Sequence, residues 1–162
     1  WQDLRLIEDL SAQQNVNCGL LSERNFLFSL KNLLNSVSFI RAHKCMELCG
    51  LENNVFSKSI HNISGGQKQK VAIARSIIQE SNILFADEPF NNLDPKAINQ
   101  IKRLLLQRKN KYKIKIPETI IVSLHRIDLL DGFNRIIALK KGNILFDLKK
   151  EYLKKSDLEK IY

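Results

Sequence analysis

Between Asn25 and Gly50 apolar residues recur at helical spacing. Phe26, Leu30, Leu33 and Leu34 share one face, and after a short break Phe39, Ile40, Met46 and Leu48 resume the pattern. Gly50 stands where the second helix should stop. Residues 51–63 are polar and turn-like, and they lead into "HNISGGQKQKVAIARSI" (61–77), a polar turn followed by two glycines and a helical run. From there strands and helices alternate. "NILFA" (82–86) reads as a buried strand, "PKAINQIKRLLLQRK" (95–109) as a helix with Pro95 in its first turn, and "ETIIVSL" (118–124) as a second strand. "RIIAL" and "NILFDL" predict a hairpin across Lys140–Gly142, and "SDLEKIY" a short closing helix capped by Ser156. Apolar strands alternating with amphipathic helices predict an α/β fold, a parallel sheet with helices on its faces. Ligands of such sheets sit at the carboxyl ends of the strands.

Composition narrows this picture only slightly. The 162 residues are 44% hydrophobic and 27% charged, ordinary values for a globular domain, and no apolar run is long enough to cross a bilayer. The formal charge of +9 comes from lysines scattered among Asn and Ile, including an Arg108–Lys115 cluster that reads as solvated loop, so it indicates a basic surface rather than a nucleic-acid groove. Cys18, Cys45 and Cys49 form no disulfide framework and point to free thiols in a reducing compartment. His43, Cys45 and Cys49 lack a fourth ligand at metal-binding spacing, so the two cysteines read as small core residues on one helix face.

The candidate chemistry stands at strand ends. "NILFA" runs directly into Asp87 and Glu88, two carboxylates that must be hydrated, paired or bound to a metal. One reading is a solvated strand end. The other assigns Asp87 to magnesium, directly or through water, and Glu88 to the general base that polarises an attacking water. His125 follows the second strand, where it can reach a terminal phosphate as a donor or help position the water. In "FNNLDP", Asp94 stands at the N-cap of the helix that Pro95 opens, a structural role that does not exclude a functional one. Ser64, Gly65, Gly66 and Gln67 open another helix. Paired glycines admit an anion close to backbone N–H groups at the positive end of the helix dipole, and Ser64 and Gln67 add neutral donors. A simple Ser-capped helix leaves Gly66 unexplained, since glycine there costs about 1 kcal/mol of helix propensity relative to alanine.

"ISGGQKQKVAIARSI", "ILFADEPFNNLD" and "IVSLH", in that order, resemble the signature motif, the Walker B strand with its catalytic glutamate, the D-loop and the H-loop of ABC transporter ATP-binding subunits. Trp1-Gln2 looks like the end of the Q-loop, which would make Gln2 the glutamine that senses magnesium and the permease. "LIEDLSAQQNV" is similar to the following stretch that contacts the membrane subunit. "VSLHRIDLLDGFNRIIALKKGNILFD" and the closing "DLEKIY" look most like phosphonate-import ATPases. Ile63, Lys70, Asn91-Asn92 and Leu148 depart mildly from the family pattern, and none of these removes a charged catalytic group.

The resemblance implies a P-loop NTPase-like fold, a helical subdomain over about 10–80 and the second half of a RecA-like core over about 81–162. It implies ATP and magnesium as cofactors, with Glu88 and His125 catalytic, Asp87 and Gln2 at the metal, and Gln2, Ser64, Gly65, Gly66, Gln67 and Asp94 at the nucleotide. The implied partners are a second ATPase subunit in a head-to-tail homodimer, transmembrane permease subunits and, indirectly, a substrate-binding protein, with no nucleic acid. The implied location is the cytoplasmic face of the cell membrane. No Gly-x-x-x-x-Gly-Lys-Ser/Thr pattern passes through the six glycines, so the expectation is of a subunit cut at the Q-loop, inactive as these 162 residues alone. Two alternatives stand beside this: a non-catalytic remnant, and an ABC ATPase of DNA repair. The latter places a long coiled coil where only about 60 ordinary residues separate Gln2 from Ser64 here.

Overall fold

In a computed structural model, which describes residues 4–161, the chain forms two units, 1–123 and 124–162. The first unit opens with α1 (Ala12–Asn17), capped by Ser11 in a reciprocal pair of bonds with Gln14, and a 3-10 turn (Cys18–Glu23). There follow α2 (Phe26–Leu33), α3 (Ile40–Leu48), the single turn α4 (Asn53–Phe56) and the long α5 (Gly65–Ile77). Then β1 (Ile83–Asp87), α6 (Pro95–Gln107) and β2 (Thr119–Ser123) complete it. The second unit holds the antiparallel hairpin β3 (Arg135–Lys140) and β4 (Asn143–Lys149), closed by Lys141 and Gly142 with positive φ, and the short α7 (Lys155–Glu159). Among the described residues no helix is long and apolar enough to cross a membrane.

The core of the first unit lies where α1, α3 and α5 meet, around fully buried Val16, Met46, Val71, Ile77 and Ile78. Cys45 and Cys49 belong to it, each 0% exposed, as one turn-to-turn spacing on α3 requires. Burial raises the Cys45 thiol to about 12, so it behaves as a small apolar group. The α3 helix ends in a paired Schellman arrangement, Gly50 N–H to Glu47 O at 2.9 Å and Leu51 N–H to Met46 O at 3.0 Å. Lys70 donates from α5 to Gly50 O at 3.0 Å.

Several expectations change. Residues 51–63 are more than a polar turn, because α4 and a 3-10 turn (Ile60–Asn62) carry Leu51, Val55, Phe56, Ile60 and Ile63 into the core. The α2 face of Phe26, Leu30, Leu33 and Leu34 is helical but exposed, with Phe26 at 82%. Buried Asn32 is the residue that α2 turns inward, and Gln14 Nε2 donates to Asn32 O at 2.8 Å. The strand β1 is not fully buried, because among the described residues its sheet has two strands, β1 parallel to β2. One face presents Ile83, Phe85 (73% exposed) and Ile121 to solvent, while Leu84, Ala86, Ile120 and Val122 face inward. Ser156 does not cap α7. It lies inside the helix, and Lys154 N–H instead bonds Asp157 Oδ2 at 3.2 Å.

His43 packs against Phe39 and Phe56 and its Nε2–H donates to Gln13 Oε1 at 2.7 Å. Burial lowers its pKa, against an opposing pull from Glu47. A depressed histidine contributes stability above its unfolded value near 6.5 and loses it as pH falls through the folded value. The melting temperature is therefore expected to fall as pH drops from 7.5 to 5.5, and to fall less in His43→Asn. Equal slopes in the two proteins would remove His43 from that role.

Candidate functional site

The amino end of α5 is set by its own sequence. Ser64 is extended (φ −68°, ψ 161°) and its Oγ accepts the Gln67 N–H at 3.3 Å, while Gln67 Oε1 accepts the Ser64 N–H at 2.9 Å. This capping box consumes one acceptor of each side chain and leaves the Ser64 hydroxyl hydrogen and the Gln67 NH2 to donate outward. Gly65 lies open, with Asn92 Cβ at 3.9 Å as the nearest atom that a side chain there would meet. Gly66 is different. A Cβ on it would stand 2.8 Å from the Asn92 backbone oxygen, so the second glycine serves a close approach of the chain to itself.

The carboxylates are set by strand register. Asp87 is the last residue of β1 and pairs with Ser123, the last residue of β2. The Ser123 hydroxyl donates to Asp87 Oδ1 and accepts the Glu88 N–H at 3.0 Å, so one side chain orders two successive acidic residues. Glu88 is held at φ 45°, in the left-handed region, which costs a non-glycine residue about 1–2 kcal/mol. The bond from Ser123, an Asn91 N–H bond to Glu88 O at 3.2 Å and a further bond from Asn91 Nδ2 to Glu88 Oε2 support that conformation. Strain that neighbours over-determine in this way is typical of functional turns. Asn92, at φ 59°, is the second left-handed residue of the same turn.

Gly65, Lys68, Gln69, Asp87, Glu88 and Asn91 line one cleft of about 360 Å3. The helix start and the carboxylate pair, more than 20 residues apart in sequence, are thus brought together within one unit. Asp94 caps α6, its Oδ1 accepting the Ala97 N–H at 2.9 Å, and that bond holds its carboxyl below the usual range. His125 stands two residues beyond β2, at the start of the second unit. Gln2 lies outside the described residues, although Arg75 Nη1 fixes the nearby backbone by donating to Arg5 O at 2.7 Å. Ser123, Gln69 and Lys68 were not singled out from the sequence. Ser123 was within reach, because parallel register alone puts it opposite Asp87, but nothing in the periodicity marks Gln69.

No group of three or more His, Cys, Asp or Glu among the described residues could hold a metal ion by itself. That fits magnesium on a phosphate, which takes one or two carboxylates and completes its shell with phosphate oxygens and water. The Asp87 carboxylate has the chemistry for one such magnesium contact, and the donors at the α5 start with the uncrowded backbone of Gly65 have, separately, the chemistry for phosphate oxygens.

A capped Gly-Gly helix start beside a strand that ends in two ordered carboxylates belongs to the ATP-binding cassette, a P-loop NTPase fold. Residues 1–91 match the ABC transporter family, more than half of the sequence, and the chain belongs to that family. It is 34% identical over 163 residues to the phosphonates import ATP-binding protein PhnC of Fusobacterium nucleatum, covering 100% of this chain and 64% of that protein. It is 38% identical over 165 residues to phosphonates import ATP-binding protein PhnC 1 of Trichodesmium erythraeum, covering 100% of this chain and 62% of that one. The chain thus spans less than two thirds of the length of either relative. Its structure resembles the ATP-binding cassette MJ0796, solved as a dimer bound to ADP and Pi, with a TM-score of 0.71, 30% identity, and coverage of 92% of this chain and 60% of that one. It also resembles cbiO1 of the cbiONQ transporter from Clostridium perfringens, with a TM-score of 0.66, 25% identity, and coverage of 98% and 59%.

Proposed function

We propose that these residues form part of the ATP-hydrolysing subunit of an ABC importer for phosphonate or a related oxyanion. The observation that carries the hydrolytic half of this reading is the Ser123–Asp87–Glu88 cluster, two carboxylates ordered by one hydroxyl at the ends of paired strands. The names of the relatives support the phosphonate half. In this reading residues of about 10–80 form the helical, signature-bearing subdomain, and about 81–162 the carboxyl half of the RecA-like core.

Asp87 would hold magnesium, with Gln2 as the second contact, and the ion neutralises charge on the phosphate oxygens when bound. Glu88 accepts a proton from the attacking water, and His125 donates to the terminal phosphate or orients that water. Ser64, Gly65, Gly66 and Gln67 offer hydroxyl, backbone and amide donors at the positive end of α5 to the terminal phosphate of ATP held by a partner subunit. Asp94 caps α6 and in this reading also serves the nucleotide. A similar cassette solved as a dimer supports a dimeric subunit; in this reading the dimer is head-to-tail, and its closing and reopening drive permease subunits at the cytoplasmic face of the membrane. The exposed α2 face, Phe26 through Leu34, is an apolar surface consistent with contact to another subunit.

The 162 residues contain no Gly-x-x-x-x-Gly-Lys-Ser/Thr loop, so the donors of α5 and the carboxylates are half of a composite site. Titration calorimetry of this chain with Mg·ATP is expected to give no saturable binding in the micromolar range. A micromolar Kd would show that the chain holds a nucleotide without such a loop and would overturn the composite site.

A further inference from the structure

On α5 the buried stripe runs through Gln69, Ile73 and Ile77. An apolar residue at the first of these positions would pack without losing water. The chain instead buries a primary amide to 6% exposure, which is unfavourable unless the amide is bonded. Its Nε2 donates 3.0 Å to the carbonyl oxygen of Pro89, the residue directly after Glu88. Proline has no N–H, so that carbonyl is its single backbone hydrogen-bonding group, and Pro89 is itself buried. Less than one turn earlier on the same helix, Gly66 lies against the Asn92 carbonyl. The first turns of α5 therefore touch the Glu88–Leu93 segment near both ends, and each contact adjoins or involves one of its two left-handed residues, Glu88 and Asn92.

We propose that Gln69 is a positioning residue: through Pro89 it holds the backbone of Glu88 in the left-handed conformation in which the carboxylate lines the cleft. It acts on catalysis through the backbone of Glu88. The proposal rests on the reading of Glu88 as the base. One consequence is that displacement of the α5 start, which in that reading answers to the partner's nucleotide, is passed to the carboxylate of the chain's own site.

Gln69→Met keeps the length and helix preference of the side chain and removes the donor. Gln69→Glu keeps the shape and at neutral pH offers only acceptors. In hydrogen exchange of the 162-residue chain, both substitutions are expected to speed exchange of the 88–93 amides about tenfold while 135–149 is unchanged. In a subunit of the relatives' full length that carries these residues, kcat is expected to fall about tenfold with KM for ATP unchanged, the sign of a lost transition-state contribution. Unchanged exchange at 88–93 in both variants overturns the proposal, as does faster exchange with unchanged kcat. Loss of protection throughout the chain in both variants also overturns it, since Gln69 is then a packing residue. Glu88→Gln is measured alongside: if that variant turns over normally while the exchange result holds, the reading of Glu88 fails and the bond to Pro89 stands.

Discussion

Glu88→Gln, in a subunit of the relatives' full length that carries these residues, is expected to lower ATP hydrolysis by about two to four orders of magnitude while ATP binding persists. Glutamine has the same shape and the same reach. It preserves an acceptor for Asn91 Nδ2, and the Glu88 backbone N–H bond to the Ser123 hydroxyl does not involve the side chain at all. What the substitution removes is the capacity to take a proton. Phosphate release and equilibrium nucleotide binding, measured on the same preparation, separate the two effects. Normal phosphate release would remove Glu88 from the base role and leave the ordered carboxylate pair without a purpose.

The second large effect is on stability, and here two simple arguments disagree in sign. By helix propensity alone, Gly66→Ala should stabilise α5 by about 1 kcal/mol. The new Cβ, however, would stand 2.8 Å from the Asn92 carbonyl oxygen, a backbone atom in a turn already bent through two left-handed residues, so it cannot yield as a flexible side-chain tip would. The expected outcome is a net loss of about 1–3 kcal/mol, as for overpacking of a tight contact. In a domain of this size that lowers the melting temperature by roughly 2–4 °C per kcal/mol. Gly65→Ala is the control, because its nearest neighbour is 3.9 Å away, and it should be neutral or slightly stabilising. Thermal melts of the two variants that come out equal would mean the close approach at Gly66 does not exist in solution.

These two glycines illustrate how far the sequence could be read. The helix start at Ser64, the strand that ends at Asp87, the cap at Asp94, the strand before His125 and the β3–β4 hairpin were legible, since each depends on a local rule of periodicity, capping or turn chemistry. The paired glycines were legible only as a request for close approach. That the atom approaching Gly66 is the Asn92 carbonyl of the same chain is a tertiary fact. The same holds for Gln69, whose partner lies 20 residues away, and for Phe85, apolar but 73% exposed on a sheet of two strands. Residues 51–63 misled for another reason. Their polar residues outnumber their apolar ones, yet Leu51, Val55, Phe56, Ile60 and Ile63 all turn inward on short helical turns that periodicity cannot register.

The geometry also gives the proposed reaction a division of labour. Ser123 and Asn91 hold the carboxylates from the strand and turn side, and α5 holds the same turn from the helix side while offering its donors outward. In the proposed reading one helix adjoins the base of its own site and presents a phosphate-binding end to another. The composite reading requires that Ser64 and Glu88 of one subunit serve different nucleotides.

The most direct measurement mixes two inactive forms of a subunit of the relatives' full length that carries these residues. One bears Glu88→Gln and the other Ser64→Arg, which fills the α5 start. A mixed head-to-tail dimer then contains one site with both changes and one with neither. The account predicts that hydrolysis in the mixture rises well above that of either variant alone. A rate no higher than the average of the two would contradict it, and would place Ser64 and Glu88 at the same nucleotide.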